Sequence, residues 1–207
     1  MLTELKNQGV TRIVLTPHFY PFRQSLNEFL ADRDLAIELL STLPIPEGIE
    51  LLPAAEVQLH DALLNYTDLD ALKIPGTDYL LTELPADFVA GKQGIKKILK
   101  LIYNCNCTPL LAHIERYPAL LKNSKAMQEL IEEGCKMQIN LDCLHHNPIL
   151  QRQRIYRYLK KGYIHALGTD CHNLSTRPPK YRKYLCQLEK ILGGELTDAL
   201  AGATEIF

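Results

Sequence analysis

Five short apolar runs in this 207-residue chain each lead into a side chain that can bind a metal ion or move a proton. Ile13-Val14-Leu15-Thr16-Pro17 is followed by His18, Leu51-Leu52-Pro53-Ala54-Ala55 by Glu56, and Leu80-Leu81-Thr82 by Glu83. Leu110-Leu111-Ala112 leads to His113, and Ala166-Leu167-Gly168-Thr169 to Asp170, with His172 two residues further on. One polar residue after a strand says little, because loops are polar, and a lone His there is usually a hydrogen-bonded loop residue. Five are informative if the runs are parallel strands, since strand ends in a barrel converge on one mouth. Three imidazoles and three carboxylates crowded there need a counter-charge, or their pKa values shift until the cluster is neutral. Divalent cations supply that charge, and a nitrogen and oxygen donor set without thiolates suits Mn, Zn or Fe better than Ca.

Two arginines accompany this set. Arg116 follows His113 by three residues and Arg177 follows His172 by five. Either alone reads as a surface residue paired with a carboxylate such as Glu115. Beside metal ligands, a guanidinium can instead clamp a phosphate bidentately, and the shared proximity favours that role.

The elements that must position these residues follow a repeated grammar. Lys6-Asn7-Gln8-Gly9 precedes Val10–Thr16, Glu132-Glu133-Gly134 precedes Cys135–Leu141, and Lys160-Lys161-Gly162 precedes Tyr163–Thr169. In each, a polar helical tail meets a Gly suited to the left-handed position after a helix, and an apolar run of strand length follows. Ile49–Ala55, Tyr79–Leu84 and Pro109–Ile114 are three further strands. Helices are expected at Leu26–Leu43, opened by the capping-box pattern Ser25-Leu26-Asn27-Glu28, and at Gly94–Asn104, Lys125–Glu133, Pro148–Lys161 and Lys180–Leu192. Strands alternating with helices predict an α/β fold with parallel strands and right-handed crossovers, either doubly wound or a (β/α) barrel. With no linker or low-complexity stretch, one domain over 1–207 is expected.

Composition narrows the classes. The chain is 46% hydrophobic with a net charge of −1, so it offers no electrostatic case for nucleic acid or an anionic membrane. No apolar run is long enough to span a bilayer, and Met1 is not followed by a signal-like region, which predicts a cytoplasmic protein without membrane insertion. The six cysteines are expected to be reduced and mostly packing residues. His60 and His165 read as structural, His145 and His146 as solvated loop residues, and Asp142 as ending a strand without a partner in the ligand pattern.

Six stretches, in order over nearly the whole chain, resemble the PHP (polymerase and histidinol phosphatase) superfamily of metal-dependent phosphoesterases. They are Thr16-Pro17-His18-Phe19-Tyr20, Ala55-Glu56-Val57, Glu83-Leu84-Pro85, Ala112-His113-Ile114-Glu115-Arg116-Tyr117, Gly168-Thr169-Asp170-Cys171-His172-Asn173 and Arg177-Pro178-Pro179. Within that superfamily they look like the bacterial tyrosine-protein phosphatase branch of the CpsB/YwqE type, encoded with capsule and exopolysaccharide genes; Ile114 departs where Pro is expected. The resemblance implies a distorted (β/α)7 TIM-like barrel with up to three divalent ions, Mn2+ foremost and Zn2+, Fe or Mg2+ as alternatives. By position, Glu56 would bridge two ions and Asp170 bind the first, Glu83 and His113 the second, and His18 and His172 the third. Arg116 and Arg177 would bind phosphate. The implied substrate is a phosphotyrosine protein, an autophosphorylating tyrosine kinase in particular.

The family opens with a strand carrying Asp-x-His-x-His, and no such segment occurs here. The expectation is therefore a barrel with its first strand missing, from an N-terminally truncated chain in which Met1 falls inside the first crossover helix. Other outcomes compatible with the residues are a histidinol-phosphate type of phosphoesterase and an inactive barrel acting as a binding protein. Cys171 and Arg177 also have the Cys-x5-Arg spacing of thiol-dependent phosphatases. That chemistry needs a backbone N–H cradle and a lowered thiol pKa. The segment between them has no Gly and runs into Pro178-Pro179, and flanking by Asp170 and His172 fits metal ligation better.

Overall fold

The structure, a computed structural model, describes residues 1–195 together with Thr197 and Leu200; the last part of the domain expected over 1–207 lies outside the described residues. The order is α1 (Leu2–Asn7), β1 (Arg12–Leu15), β2 (His18–Phe19), α2 (Leu26–Ser41), β3 (Glu50–Pro53), β4 (Glu56–Gln58), β5 (Tyr79–Glu83), α3 (Lys92–Cys105) and β6 (Thr108–Leu111). Then come α4 (Pro118–Lys122), α5 (Ser124–Glu132), β7 (Lys136–Asn140), α6 (Cys143–His146), α7 (Ile149–Lys160), β8 (Ala166–Gly168) and α8 (Tyr181–Leu192).

Local chemistry sets these boundaries. Ser25 and Glu28 form the capping box of α2, with Glu28 N–H donating to Ser25 Oγ at 3.3 Å and Ser25 N–H to Glu28 Oε2 at 2.8 Å. The three helix-to-strand joints share one hydrogen-bond pattern. Gly9, Gly134 and Gly162 have φ of 86, 106 and 69°, and the next N–H reaches back into the helix: Val10 to Leu5 O, Cys135 to Leu130 O and Tyr163 to Tyr158 O, at 2.9–3.1 Å. Only Gly takes that backbone region at low cost, so the same residue ends each helix and aims the following strand.

All strand pairings are parallel, in the order β2-β4-β5-β6-β7-β8, with β1 paired to β3. The strands expected over Val10–Thr16 and Ile49–Ala55 are each interrupted and then resume, so that His18 and Glu56 start short continuations. Pro17, which has no N–H to give the ladder, stands at the first break. The pairing carries across it, since Ala54 N–H donates to Leu15 O at 2.9 Å and Glu56 N–H to Pro17 O at 3.0 Å. Strands in sequential order, joined by crossovers of one hand, place the helices on one face and curl the sheet away from them. Ile98 and Leu101 of α3, Met127 and Leu130 of α5 and Ile155 and Leu159 of α7 pack there with Leu80, Leu111, Met137, Ile139 and Leu167 of the strands. The concave face holds a smaller cluster of Ala54, Ile74, Leu110 and Ala166. Toward the C-terminal strand ends this face turns polar: Glu83 lies two residues beyond Leu81, and Gln138 stands opposite Ala166.

No disulfide forms; Cys105, Cys107, Cys135 and Cys143 are buried. The Cys105 and Cys107 thiols donate to the carbonyls of Tyr66 and Leu101, as packing residues do. Among the described residues no helix is long and apolar enough to cross a membrane. His165 is structural: burial first, and then Lys136, push its pKa down to about 4, and its Nδ1 accepts the Met137 N–H at 3.1 Å. Its neutral form is favoured in the fold, while in the unfolded chain it protonates near 6.5. Its contribution is therefore complete above pH 6.5 and is lost as pH falls toward 4. Urea midpoints should drop over that window, and less so in His165→Gln; equal slopes would remove His165 as the cause.

Candidate metal centre

Two groups of side chains stand on the C-terminal edge of the curled sheet. The first is built on the β2–β4–β5–β6 side. His18 and Glu56 are register partners on neighbouring strands, and Glu83 closes β5. His113 follows β6 by two residues and has φ of 33°. His113 Nε2 lies 2.8 Å from Glu56 Oε1 and 3.6 Å from Glu83 Oε1, and His18 Nδ1 lies 3.8 Å from Glu83 Oε2. Glu56 and His113 are only 6% and 3% exposed. Burial and the neighbouring Glu56 carboxylate raise the Glu83 pKa, against the pull of His113 and His18. Tyr117 walls the group, its ring 5.9 Å from that of His113 and its hydroxyl donating to Leu84 O at 2.7 Å.

The second group follows β8. Asp170, with φ of 47°, accepts from Arg116 Nη2, from Arg177 Nη2 at 3.3 Å and from Asn140 Nδ2 at 3.3 Å. His172 Nδ1 lies 3.4 Å from Asp170 Oδ1, and Arg177 Nη2 lies 2.8 Å from His172 Nε2. His113 and Asp170 are two of the three non-glycine residues at positive φ among the described residues; the third, Asn106, caps α3. Such conformations cost energy, and outliers that fall within a cluster of ionisable side chains point to function. A cleft of about 180 Å3 opens here between Arg116, Asn140, Asp170 and Arg177, with Asp142 and His146 also on its wall. His146, expected in a solvated loop, and Asp142, expected to end a strand without a partner in the ligand pattern, thus border the site; His145 and His146 form part of α6.

The structure brings together His18, Glu56, Glu83 and His113, and separately Asp170, His172, Arg116 and Arg177. Among the described residues no hydrogen bond or ring contact joins His18 to His172; His18 meets Glu83 instead. These side chains suit a divalent cation. Donor atoms of His18, Glu56 and Glu83 lie within 4.8 Å of one another, close to the span across one ion with bonds of about 2.0–2.2 Å. Two carboxylates share one pocket with the His113 Nε2 within 3.6 Å of both, a like-charge crowding that a cation would relieve.

Sequence reasoning missed what links the two groups. Gln138 Oε1 accepts the strained His113 N–H at 2.5 Å, Gln138 Nε2 donates to Asn140 Oδ1 at 3.0 Å, and Asn140 Nδ2 reaches Asp170. Glu115 lies beneath them, 4% exposed, accepting Asn140 N–H at 3.3 Å, with its pKa pushed up to about 7 by burial. A signal was present. A strand inside a parallel sheet is normally apolar on both faces, and Lys136-Met137-Gln138-Ile139-Asn140 alternates.

The loop after β8 also decides between metal and thiol chemistry. The N–H groups of Ser175, Thr176 and Arg177 converge at 2.7–3.2 Å on Asn173 Oδ1, so they do not form a cradle for an anion beside Cys171. The Arg177 guanidinium turns to Asp170 and His172. Cys171→Ser should leave turnover and metal content unchanged; lost turnover with metal retained would restore the thiol.

Comparison with known proteins agrees with this architecture. The family model for capsular polysaccharide synthesis, CpsB/CapC, matches residues 1–204. The chain belongs to this family. The tyrosine-protein phosphatase CpsB of Streptococcus pneumoniae is 31% identical over 86% of this chain and 76% of that protein. The tyrosine-protein phosphatase YwqE of Bacillus subtilis is 29% identical over 96% and 78%. A crystal structure from the pair YwqE of B. subtilis and CpsB of S. pneumoniae, described as unique metal-dependent tyrosine phosphatases, superposes with a TM-score of 0.77. At 24% identity, over 98% of this chain and 82% of that one, it establishes the mixed α/β fold with a curled parallel sheet. The CpsB/CapC match spans every strand end that carries a candidate ligand.

Proposed function

We propose that this CpsB/CapC-family chain is a metal-dependent protein-tyrosine phosphatase acting in capsule or exopolysaccharide synthesis, with His18, Glu56, Glu83, His113, Asp170 and His172 as metal ligands. The curled sheet is then part of one domain over 1–207 of the distorted (β/α)7 barrel type. The observation that carries this reading is the meeting, on one sheet edge, of a buried carboxylate–imidazole group with an aspartate flanked by two guanidiniums. The first set suits cations and the second a phosphoryl dianion.

Divalent ions, Mn2+ foremost, supply Lewis-acid charge at the phosphoryl oxygens when bound. The chain's residues do the rest. Arg116 and Arg177 exchange Asp170 oxygens for phosphoryl oxygens, fixing the group by charge-assisted hydrogen bonds. Buried Glu56 and His113 keep the donor atoms of the first group converged, and Tyr117 shields them from water. The departing phenolate, with a pKa near 10, is a weaker base than an alkoxide, which relaxes the need for a strong general acid. The substrate is a protein phosphotyrosine, that of an autophosphorylating tyrosine kinase by family resemblance.

The test is hydrolysis of a phosphotyrosine peptide by the purified chain with Mn2+, before and after EDTA. EDTA-sensitive release of phosphate that outruns release from phosphoserine and histidinol phosphate is expected. Hydrolysis indifferent to EDTA, or absent with Mn2+, Mg2+, Zn2+ and Fe2+ alike, would overturn the assignment.

A further inference from the structure

The turn after β2 carries aromatic rings that the core does not use. Tyr20 stacks on His18, with centroids 5.5 Å apart and planes at 17°. Phe22 lies 6.0 Å from Tyr20, and His60 4.9 Å from Phe22. The Arg23 guanidinium sits over both the Tyr20 and Phe22 rings, at 4.7 and 5.5 Å. The backbone beneath is held at both ends: Arg23 N–H donates to Tyr20 O at 2.9 Å, and the capping box of α2 begins at Ser25. Core packing at this corner is done by Phe19 and Phe29, both buried, whereas Phe22 is 48% exposed. A rigid turn that keeps a Phe face in water, braced by a cation over its neighbour, is not what burial selects.

The direction of the row matters. It starts on His18, 3.8 Å from Glu83, and Tyr20 lies within electrostatic reach of Glu83 and Glu56. It therefore runs outward from the first group of the candidate metal centre. An aryl phosphate seated with its phosphoryl group at that centre has to lay its ring along some surface leaving it, and rings prefer the offset or tilted partners that such a row offers.

We propose that Tyr20 and Phe22, backed by His60 and Arg23, form the subsite that holds the phenyl ring of the phosphotyrosine substrate and so select aryl over alkyl phosphates. The proposal rests on the phosphatase assignment above. Arg23 and His60 are positioning residues that contact the two rings.

The experiment compares wild type, Phe22→Ala and Phe22→Trp with Mn2+, reading kcat and KM for a phosphotyrosine peptide and for glycerol phosphate. In Phe22→Ala the ratio of kcat/KM for aryl over alkyl phosphate should fall about 2- to 10-fold, the worth of one ring–ring contact, through KM rather than kcat. Phe22→Trp should restore it. An unchanged ratio, or equal losses on both substrates, would overturn the subsite. Calorimetric binding of the same phosphotyrosine peptide and its phosphoserine counterpart, with Mn2+ present, separates the two assignments. If wild type hydrolyses nothing, the phosphatase assignment fails. The ring subsite then stands or falls on whether wild type prefers the phosphotyrosine peptide and Phe22→Ala loses that preference.

Discussion

Glu56→Ala lowers metal-supported turnover by more than about 100-fold, since even residues that only orient metal ligands are worth 10- to 100-fold. Glu56 is buried, touches His113 Nε2 at 2.8 Å, and raises the pKa of Glu83 by its like charge. Its removal has opposed effects on the fold. Glu83 loses a repulsive neighbour and its pKa moves back toward the ordinary carboxylate range. His113 loses the one partner of Nε2 that lies within 3 Å, and its Nδ1 already has none. A buried unsatisfied polar group costs about 1–3 kcal/mol, so a modest net loss of stability is expected. Turnover, Mn2+ bound per chain and the urea midpoint should be measured together. Bound Mn2+ and kcat should fall together while the midpoint moves little; wild-type Mn2+ content with full kcat would place the centre elsewhere.

The second large effect is expected at a residue that touches no substrate. In Gly168→Ala the new methyl group would overlap Gln138 Nε2 and lie 3.2 Å from Gln138 Cδ and 3.4 Å from Asn140 Oδ1. Those carboxamides hold the His113 N–H on one side and Asp170 on the other, so they cannot give way without moving both halves of the site. Overpacking of this kind costs about 1–3 kcal/mol. In a chain of this size each kcal/mol lowers Tm by roughly 2–4 °C, so a drop of several degrees is expected together with a loss of turnover. Gln138→Ala in the same background makes room for the methyl. It should recover part of the Tm but not the activity, because the tether to His113 is then gone. Activity returning with Tm would show that Gln138 only fills space.

Much of this was legible in the residues. The Gly9, Gly134 and Gly162 joints, the capping box at Ser25 and the parallel strands leading to His18, Glu56, Glu83, His113 and Asp170 all rest on short-range rules, and all appear in the structure. What was not legible depends on distances across the sheet. The grouping of His18 with Glu83 follows from the register of β2, β4 and β5, which strand propensity does not fix. The turning of both arginines onto Asp170 depends on where two loops come to lie in space. Gln138 and Asn140 escaped notice because they lie within a strand rather than after one, and Glu115 reads in the sequence only as a surface partner for an arginine. The alternation in β7 was the clue, and its meaning depended on knowing that β7 is flanked by β6 and β8.

The loop after β8 carries one more consequence. Asn173 Oδ1 gathers the N–H groups of Ser175, Thr176 and Arg177, while the Arg177 carbonyl accepts from His172 and Asn173 at 3.0 and 3.3 Å. The backbone that carries Arg177 is thus satisfied from within and needs no ligand to hold its shape. A guanidinium delivered by such a loop loses little freedom when it takes hold of an anion, so more of the contact energy appears as affinity. One carboxamide five residues from the nearest strand thereby preorganises the grip on phosphate.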